Sequence, residues 1–189
     1  PFNLLVALWQ SARAIFAHVV ALVGPNGTGK TTLARHIADD TDGEVKFAAF
    51  TGKAASVMRG KGCRGASTLH SLIYRARESG EAIPSFDLWD EAPASEAELI
   101  IIDECSMVDA ELGRDLQSGG VPVLVLGDPA QLPPIQGGGF FTEAEPDAML
   151  TEVHRQAQDD PIVRLSMDVR AGEYIEPGRS GETNLLRKA

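Results

Sequence analysis

The sequence predicts an α/β domain built on a parallel β-sheet with helices on both faces, and three observations predict it. Apolar runs that are continuous rather than alternating recur along the chain, as strands covered on both faces require. Helix-compatible segments separate these runs in the order that parallel crossovers need. A glycine-rich octet, Gly24-Pro25-Asn26-Gly27-Thr28-Gly29-Lys30-Thr31, joins the first run directly to a helix-compatible stretch.

Taken in order, residues 2–9 are apolar, but no basic segment precedes them and Gln10, Ser11, Arg13 and His18 interrupt the apolar character after them, unlike a secretory leader. Leu4, Leu5, Leu8, Trp9, Ala12, Ile15 and Phe16 recur at helical spacing, which predicts a helix packing one face on the sheet. The segment is too short and too polar to span a membrane. The first residue is Pro1 rather than Met, which is read as a chain starting inside a longer or processed one. Strands are predicted at 19–23, 45–50, 99–102 and 121–126, and helices at 31–38, 54–58, 68–77 and 110–117, with a further short strand at 148–150. Residues 79–98, rich in Pro, Ser and acid, form an irregular excursion with a small hairpin around 86–89. The organisation expected is one motor-sized domain over 1–150, carrying an inserted excursion at about 75–98, followed by 151–189 as the start of a second, incomplete domain or a tail. No internal repeat is found.

The octet carries the first chemistry. Its glycines let the backbone fold around a phosphate and aim N–H groups at it, at the positive end of the following helix. Gly24, Pro25, Asn26, Gly27, Thr28, Gly29, Lys30, Thr31 and Thr32 are therefore the candidate phosphate cradle, with Lys30 reaching the β/γ-phosphates and the Thr31 hydroxyl ligating Mg²⁺. The second site comes after the apolar run 99–102, which delivers Asp103-Glu104 to the carboxyl edge of the sheet, beside the phosphate loop. There Asp103 suits holding Mg²⁺, mostly through water, and Glu104 suits orienting and deprotonating an attacking water. Together the two sites imply nucleotide hydrolysis and say nothing of its purpose.

Net charge is −10 over 189 residues, which excludes a uniformly basic surface. Residues 51–77 nevertheless hold Lys53, Arg59, Lys61, Arg64, Arg75 and Arg77 and no Asp or Glu. Such a segment is either a solvated basic loop or a track for a phosphate backbone. Cys63 and Cys105 stand alone and fit a reducing, cytoplasmic setting rather than a disulfide framework. His18, His36, His70 and His154 are scattered, without zinc-ligand spacing.

Further blocks give the hydrolysis a purpose. Residues Leu126-Gly127-Asp128-Pro129-Ala130-Gln131-Leu132-Pro133-Pro134-Ile135 resemble motif III of superfamily 1 helicases, and Leu150-Thr151-Glu152-Val153-His154-Arg155-Gln156 resembles their motif IV. With Asp103-Glu104-Cys105-Ser106-Met107 as motif II, Phe50-Thr51-Gly52-Lys53-Ala54-Ala55 as motif Ia and Ser67-Thr68-Leu69-His70-Ser71-Leu72 as the next element, the order is similar to that of the RecD-like branch. The resemblance covers about three quarters of the chain and implies a RecA-like P-loop NTPase domain, the first motor domain of an ATP-dependent DNA helicase, with 5′ to 3′ polarity.

The resemblance also implies roles. Gln131 would sense the γ-phosphate, its amide donating to phosphate while accepting from water. Arg155 would reach the γ-phosphate as a second domain closes, an effect worth roughly 10³ to 10⁵ in rate. Thr51, Lys53, Thr68 and His70 would contact single-stranded DNA, in or beside the basic segment, through sequence-independent phosphate contacts that weaken with salt. Two departures are plain. No counterpart of the later helicase motifs comes after motif IV, so the chain by itself is expected to bind Mg-ATP and turn it over slowly. Gln10, the candidate for adenine recognition, lies closer to Gly24 than that pattern requires and reads as an ordinary helix-surface residue. The alternative functions are an ATP-controlled switch module, a subunit of a recombination or repair nuclease complex, and a helicase segment linked to a relaxase.

Overall fold

The computed structural model describes residues 19–76, 86–89, 91–135, 137–152, 161–180 and 183–185. The predicted helix over residues 2–16, Gln10, Arg77, His154 and Arg155 lie outside them.

Six strands form one parallel sheet: β1 (Val19–Val23), β2 (Val45–Ala49), β3 (Ser67–Thr68), β6 (Leu99–Asp103), β7 (Val123–Gly127) and β8 (Ala148–Met149), in the spatial order β3-β2-β6-β7-β1-β8. The continuous apolar runs are explained by burial on both faces. Leu99 and Ile101 join Leu22, Phe47, Leu124 and Leu126 beneath α1 (Lys30–Asp39) and α2 (Gly52–Gly60). Ile100 and Ile102 join Val123 and Val125 beneath α3 (Leu69–Ile73) and α4 (Ala110–Ser118). Each fully buried branched side chain contributes roughly 1.5–3 kcal/mol, so the β6 run alone is a large share of the core. At the β8 edge, where pairing covers only Leu22 and Val23, the Asp147 carboxylate accepts a hydrogen bond from Ala21 N–H at 2.8 Å and supplies a partner that no strand offers there.

The expected helix over 68–77 is shorter than its sequence suggested. It ends at Ile73, and Tyr74–Ala76 become a strand, β4, paired antiparallel with β5 (Phe86–Leu88). The Tyr74 hydroxyl donates to Asp115 on α4, and this tertiary partner together with the β-ribbon overrides helix propensity. The excursion thus begins at Tyr74. Helix α2 is longer than expected, because Thr51 caps it with a side-chain oxygen that accepts from Ala54 N–H at 3.1 Å. Strand β7 starts at Val123 rather than residue 121, while the Pro122 carbonyl already accepts from Ile100 N–H at 2.9 Å.

Beyond the sheet, α5 (Pro161–Ala171) precedes a two-stranded hairpin of β9 (Gly178–Ser180) and β10 (Thr183–Leu185). Sequence reading assigned no helix here, although Ile162, Leu165 and Val169 stand at helical spacing.

Candidate functional site

The carboxyl ends of β1, β7, β6 and β2 open onto one cleft of about 570 Å³, within the range of small-molecule sites. Four short segments line it: the glycine-rich loop with Thr31 and Thr32, the start of α2 with Thr51 and Lys53, Asp103-Glu104, and Gly127, Asp128 and Gln131. Lys61 also lines it, a residue that the sequence offered only as part of a basic run.

The loop is shaped by close approach and by left-handed backbone. A side chain at Gly24 would put its Cβ at 2.3 Å from the Leu150 carbonyl oxygen, and Gly24 N–H donates to Gly127 O at 3.0 Å. Gly29 caps α1 at φ 86°, in the region glycine alone enters without strain. The Thr28 hydroxyl donates to Pro25 O at 2.8 Å, holding the loop closed from within. Lys30 is only 8% exposed, and its ammonium donates to Gly24 O at 2.6 Å and Pro25 O at 3.0 Å. Burial pulls its pKa down, against the opposing pull of Asp103 and Asp128.

Asp103 does not sit next to this loop in the sheet. Strand β7 lies between β1 and β6, so the acidic tip stands beside the loop, as the sequence predicts, by meeting it across the end of β7. They do meet, since the Thr31 hydroxyl donates to Asp103 Oδ2 at 3.2 Å. The second carboxylate oxygen accepts from Glu104 N–H at 2.9 Å. A hydroxyl and a carboxylate are hard oxygen donors of the kind Mg²⁺ takes while keeping most of its waters. Among the described residues no three His, Cys, Asp or Glu side chains gather into a metal site of another kind.

Glu104 has φ 61° and ψ 41°, and it is the one non-glycine residue with positive φ among those described. Holding a side-chain-bearing residue there costs about 1–3 kcal/mol, a strain that the surrounding contacts must maintain. Its carboxylate accepts from the Thr51 hydroxyl at 3.2 Å. Behind it, Cys105 is fully buried, and burial first, then Asp103, push its thiol up to about 12. The thiol is an inert packing group there.

Just past the end of the intervening strand stand Asp128, 1% exposed, and Gln131. Asp128 Oδ1 accepts from Ala130 N–H at 3.1 Å, and its carbonyl accepts from Gln131 N–H at 3.0 Å, which fixes the turn that presents Gln131 to the cleft. Asp128 Oδ2 is bonded by the guanidinium of Arg170 from α5. Sequence reading missed this partner. The buried acid after a buried strand was the available signal, because a carboxylate so placed needs a counter-charge.

Of the residues expected to face DNA, Thr51 and Lys53 line the same cleft, and Thr68 and His70 stand at the neighbouring tip of β3, where Thr68 pairs in register with Ala49. The Thr68 oxygen caps α3 by accepting from Ser71 N–H at 3.3 Å. His70 is exposed and packs edge-on to Phe50 at 6.0 Å and tilted to Tyr74 at 5.8 Å. The basic segment is exposed at Lys53, Arg59, Lys61, Arg64 and Arg75, and within it Arg59 donates to Ala66 O and closes its own loop.

A family profile described as an AAA domain matches residues 8–181. The chain is 35% identical over 164 residues to the ATP-dependent RecD2 DNA helicase of Deinococcus radiodurans, an overlap of 82% of this chain and 22% of that protein. It is 31% identical over 172 residues to the ATP-dependent DNA helicase dda of Enterobacteria phage T4, covering 83% of this chain and 39% of that one. The chain thus spans well under half the length of the curated relatives it matches. Among solved structures, the Bacteroides Pif1 helicase in complex with ADP-AlF3 and ssDNA superposes with a TM-score of 0.61 at 25% identity, over 89% of this chain and 46% of that chain.

Proposed function

The chain belongs to the AAA domain family, as a RecA-like domain of the superfamily 1, RecD-like kind, and from that premise we propose that it is the ATP-hydrolysing motor domain of a DNA helicase working on single-stranded DNA. One observation carries the reading: three adjacent strand tips bring Lys30 and Thr31, Gln131, and Asp103 with Glu104 onto one cleft, with Thr51 at its rim. A switch module or a nuclease subunit without motor activity is disfavoured by relatives that are ATP-dependent DNA helicases.

In this reading the loop N–H groups and Lys30 hold the triphosphate. Thr31 and Asp103 would hold Mg²⁺, which would supply positive charge to the phosphates when bound. Glu104 accepts a proton from the attacking water as its oxygen bonds the γ-phosphorus and the bond to the β–γ bridging oxygen breaks, giving ADP and phosphate. Gln131 orients that water and registers the γ-phosphate. Arg155 is assigned by resemblance alone to charge compensation in the transition state. Thr51, Lys53, Thr68 and His70 form the DNA edge. We further propose 5′ to 3′ movement, a cytoplasmic setting consistent with the free thiols of Cys63 and Cys105, a role in DNA repair or recombination, and full unwinding only when a second RecA-like half closes over the cleft.

The test is steady-state ATP hydrolysis with and without single-stranded DNA, beside Lys30→Ala. Hydrolysis that DNA stimulates and the substitution removes is expected. ATP binding without hydrolysis under either condition would overturn the motor reading.

A further inference from the structure

The turn that carries Gln131 into the cleft is held by polar bonds rather than by packing. Pro129 and Ala130 are exposed and Leu132 is 83% exposed, so no apolar side chain of this turn is anchored in the core. Ala130 N–H and Gln131 N–H instead both donate to Asp128, the first to Oδ1 at 3.1 Å and the second to the carbonyl at 3.0 Å. The other carboxylate oxygen of this buried acid, Oδ2, is bonded by the Arg170 guanidinium. A carboxylate so deeply buried keeps its place and its charge only with a counter-charge beside it. Arg170 comes from the last turn of α5, a helix that buries none of its eleven residues. One side chain of that helix nevertheless reaches an acid lining the cleft.

We propose that Arg170 is a positioning residue for Gln131: it fixes the Asp128 carboxylate, which fixes the turn over residues 128–131, so that α5 sets the rate of hydrolysis without contacting the reacting atoms. This rests on the reading of Gln131 as the residue that orients the attacking water. With the guanidinium removed, the carboxylate turns toward water or takes up a proton, Oδ1 releases Ala130 N–H, and the Gln131 side chain is no longer held toward the cleft. Lys30, Thr31 and Asp103 hang on other bonds, to Gly24 O, to Pro25 O and to one another, and stay in place. Rate and nucleotide affinity therefore part.

The experiment is single-turnover ATP hydrolysis, with equilibrium binding of a fluorescent ATP analogue, by wild type, Arg170→Ala, Gln131→Ala, the pair, and Arg170→Ala combined with Asp128→Asn. Arg170→Ala is expected to slow hydrolysis about tenfold, the worth of a charge-assisted hydrogen bond, with ATP affinity within about twofold. In the Gln131→Ala background the same substitution slows hydrolysis no further, because it acts through that side chain. Beside Asp128→Asn it costs less than about threefold, since the amide oxygen still accepts from Ala130 N–H and needs no counter-charge. Should Arg170→Ala fail to fold, Arg170→Lys keeps the cation without the planar fork, and its smaller loss of rate is read for the same dependence on Gln131. An equal proportional loss with and without the Gln131 side chain, or a fall in ATP affinity matching the fall in rate, would make Arg170 a general brace of the cleft and overturn the inference while leaving the motor reading intact. Hydrolysis by Gln131→Ala as fast as by the wild type would remove the role of Gln131, and the inference with it. Absence of hydrolysis in the wild type would remove the motor reading itself.

Discussion

On one wall of the cleft, Lys30, Thr31, Asp103 and Gln131 are held by backbone that leaves a buried strand and turns at once, with partners at 2.6–3.2 Å. On the other, Lys53, Thr68 and His70 ride on helix starts at the open edge of the sheet and lie half-buried or exposed. The difference reflects the ligand each wall would bind. A triphosphate with its metal requires donors fixed to a few tenths of an ångström in a site that excludes water, whereas a sliding strand of DNA requires contacts that form and release. Thr51 belongs to both walls by geometry.

The sharpest way to break this division is to disable one wall and measure the other. Glu104→Gln should lower hydrolysis by about 10²–10⁴ while ATP still binds, as loss of a general base does. Lys30→Ala should weaken ATP binding by roughly 10- to 100-fold, the worth of a charge-assisted contact, and leave nucleotide-free DNA affinity within about twofold. Equilibrium binding of a fluorescent ATP analogue and of oligo-dT to each variant decides it. A parallel loss of DNA affinity in Lys30→Ala would show that the two walls are one site.

The fixed wall should also be the brittle one. Removing the Arg170 guanidinium leaves Asp128 buried without its counter-charge, a change that costs about 3–5 kcal/mol for a fully buried pair. Arg170 is 27% exposed, so a discounted loss of about 1–3 kcal/mol is expected for Arg170→Ala by urea denaturation. Gly24→Ala drives a Cβ against the Leu150 carbonyl oxygen, a backbone atom with little room to move, and should cost about 1–3 kcal/mol by the same measurement. Stability unchanged in both would mean that this wall is more compliant than its contacts imply.

The same division explains what was legible in the sequence. The phosphate loop and Asp103-Glu104 could be read because each lies within one contiguous stretch whose apolar strand fixes where it emerges. Their separation by β7 could not, since strand order depends on which crossover skips a neighbour, and local pattern does not carry that. The end of α3 at Ile73 was hidden because Tyr74 is held by Asp115, some forty positions away. Arg59 looked like a candidate phosphate contact but closes its own loop, and Arg170 looked like nothing yet holds Asp128. A cationic side chain reaches several ångströms, so its partner is settled by tertiary structure and not by its neighbours in sequence.

Lys53 tests the boundary between the walls most finely, because it is exposed yet lines the cleft. If it serves DNA, each phosphate contact it makes releases about 0.7 of a counterion from a single strand, so Lys53→Ala should flatten the slope of log affinity against log salt by about 0.7. ATP affinity should stay unchanged. If Lys53 serves the nucleotide instead, the salt slope for oligo-dT keeps its value and ATP affinity falls. The magnitude is small, but the two outcomes have opposite signatures in two binding curves, so Lys53 is assigned to one wall or the other without any measurement of turnover. An assignment to the nucleotide would move Lys53 from the open wall to the fixed one and leave Thr51, Thr68 and His70 as the proposed DNA edge.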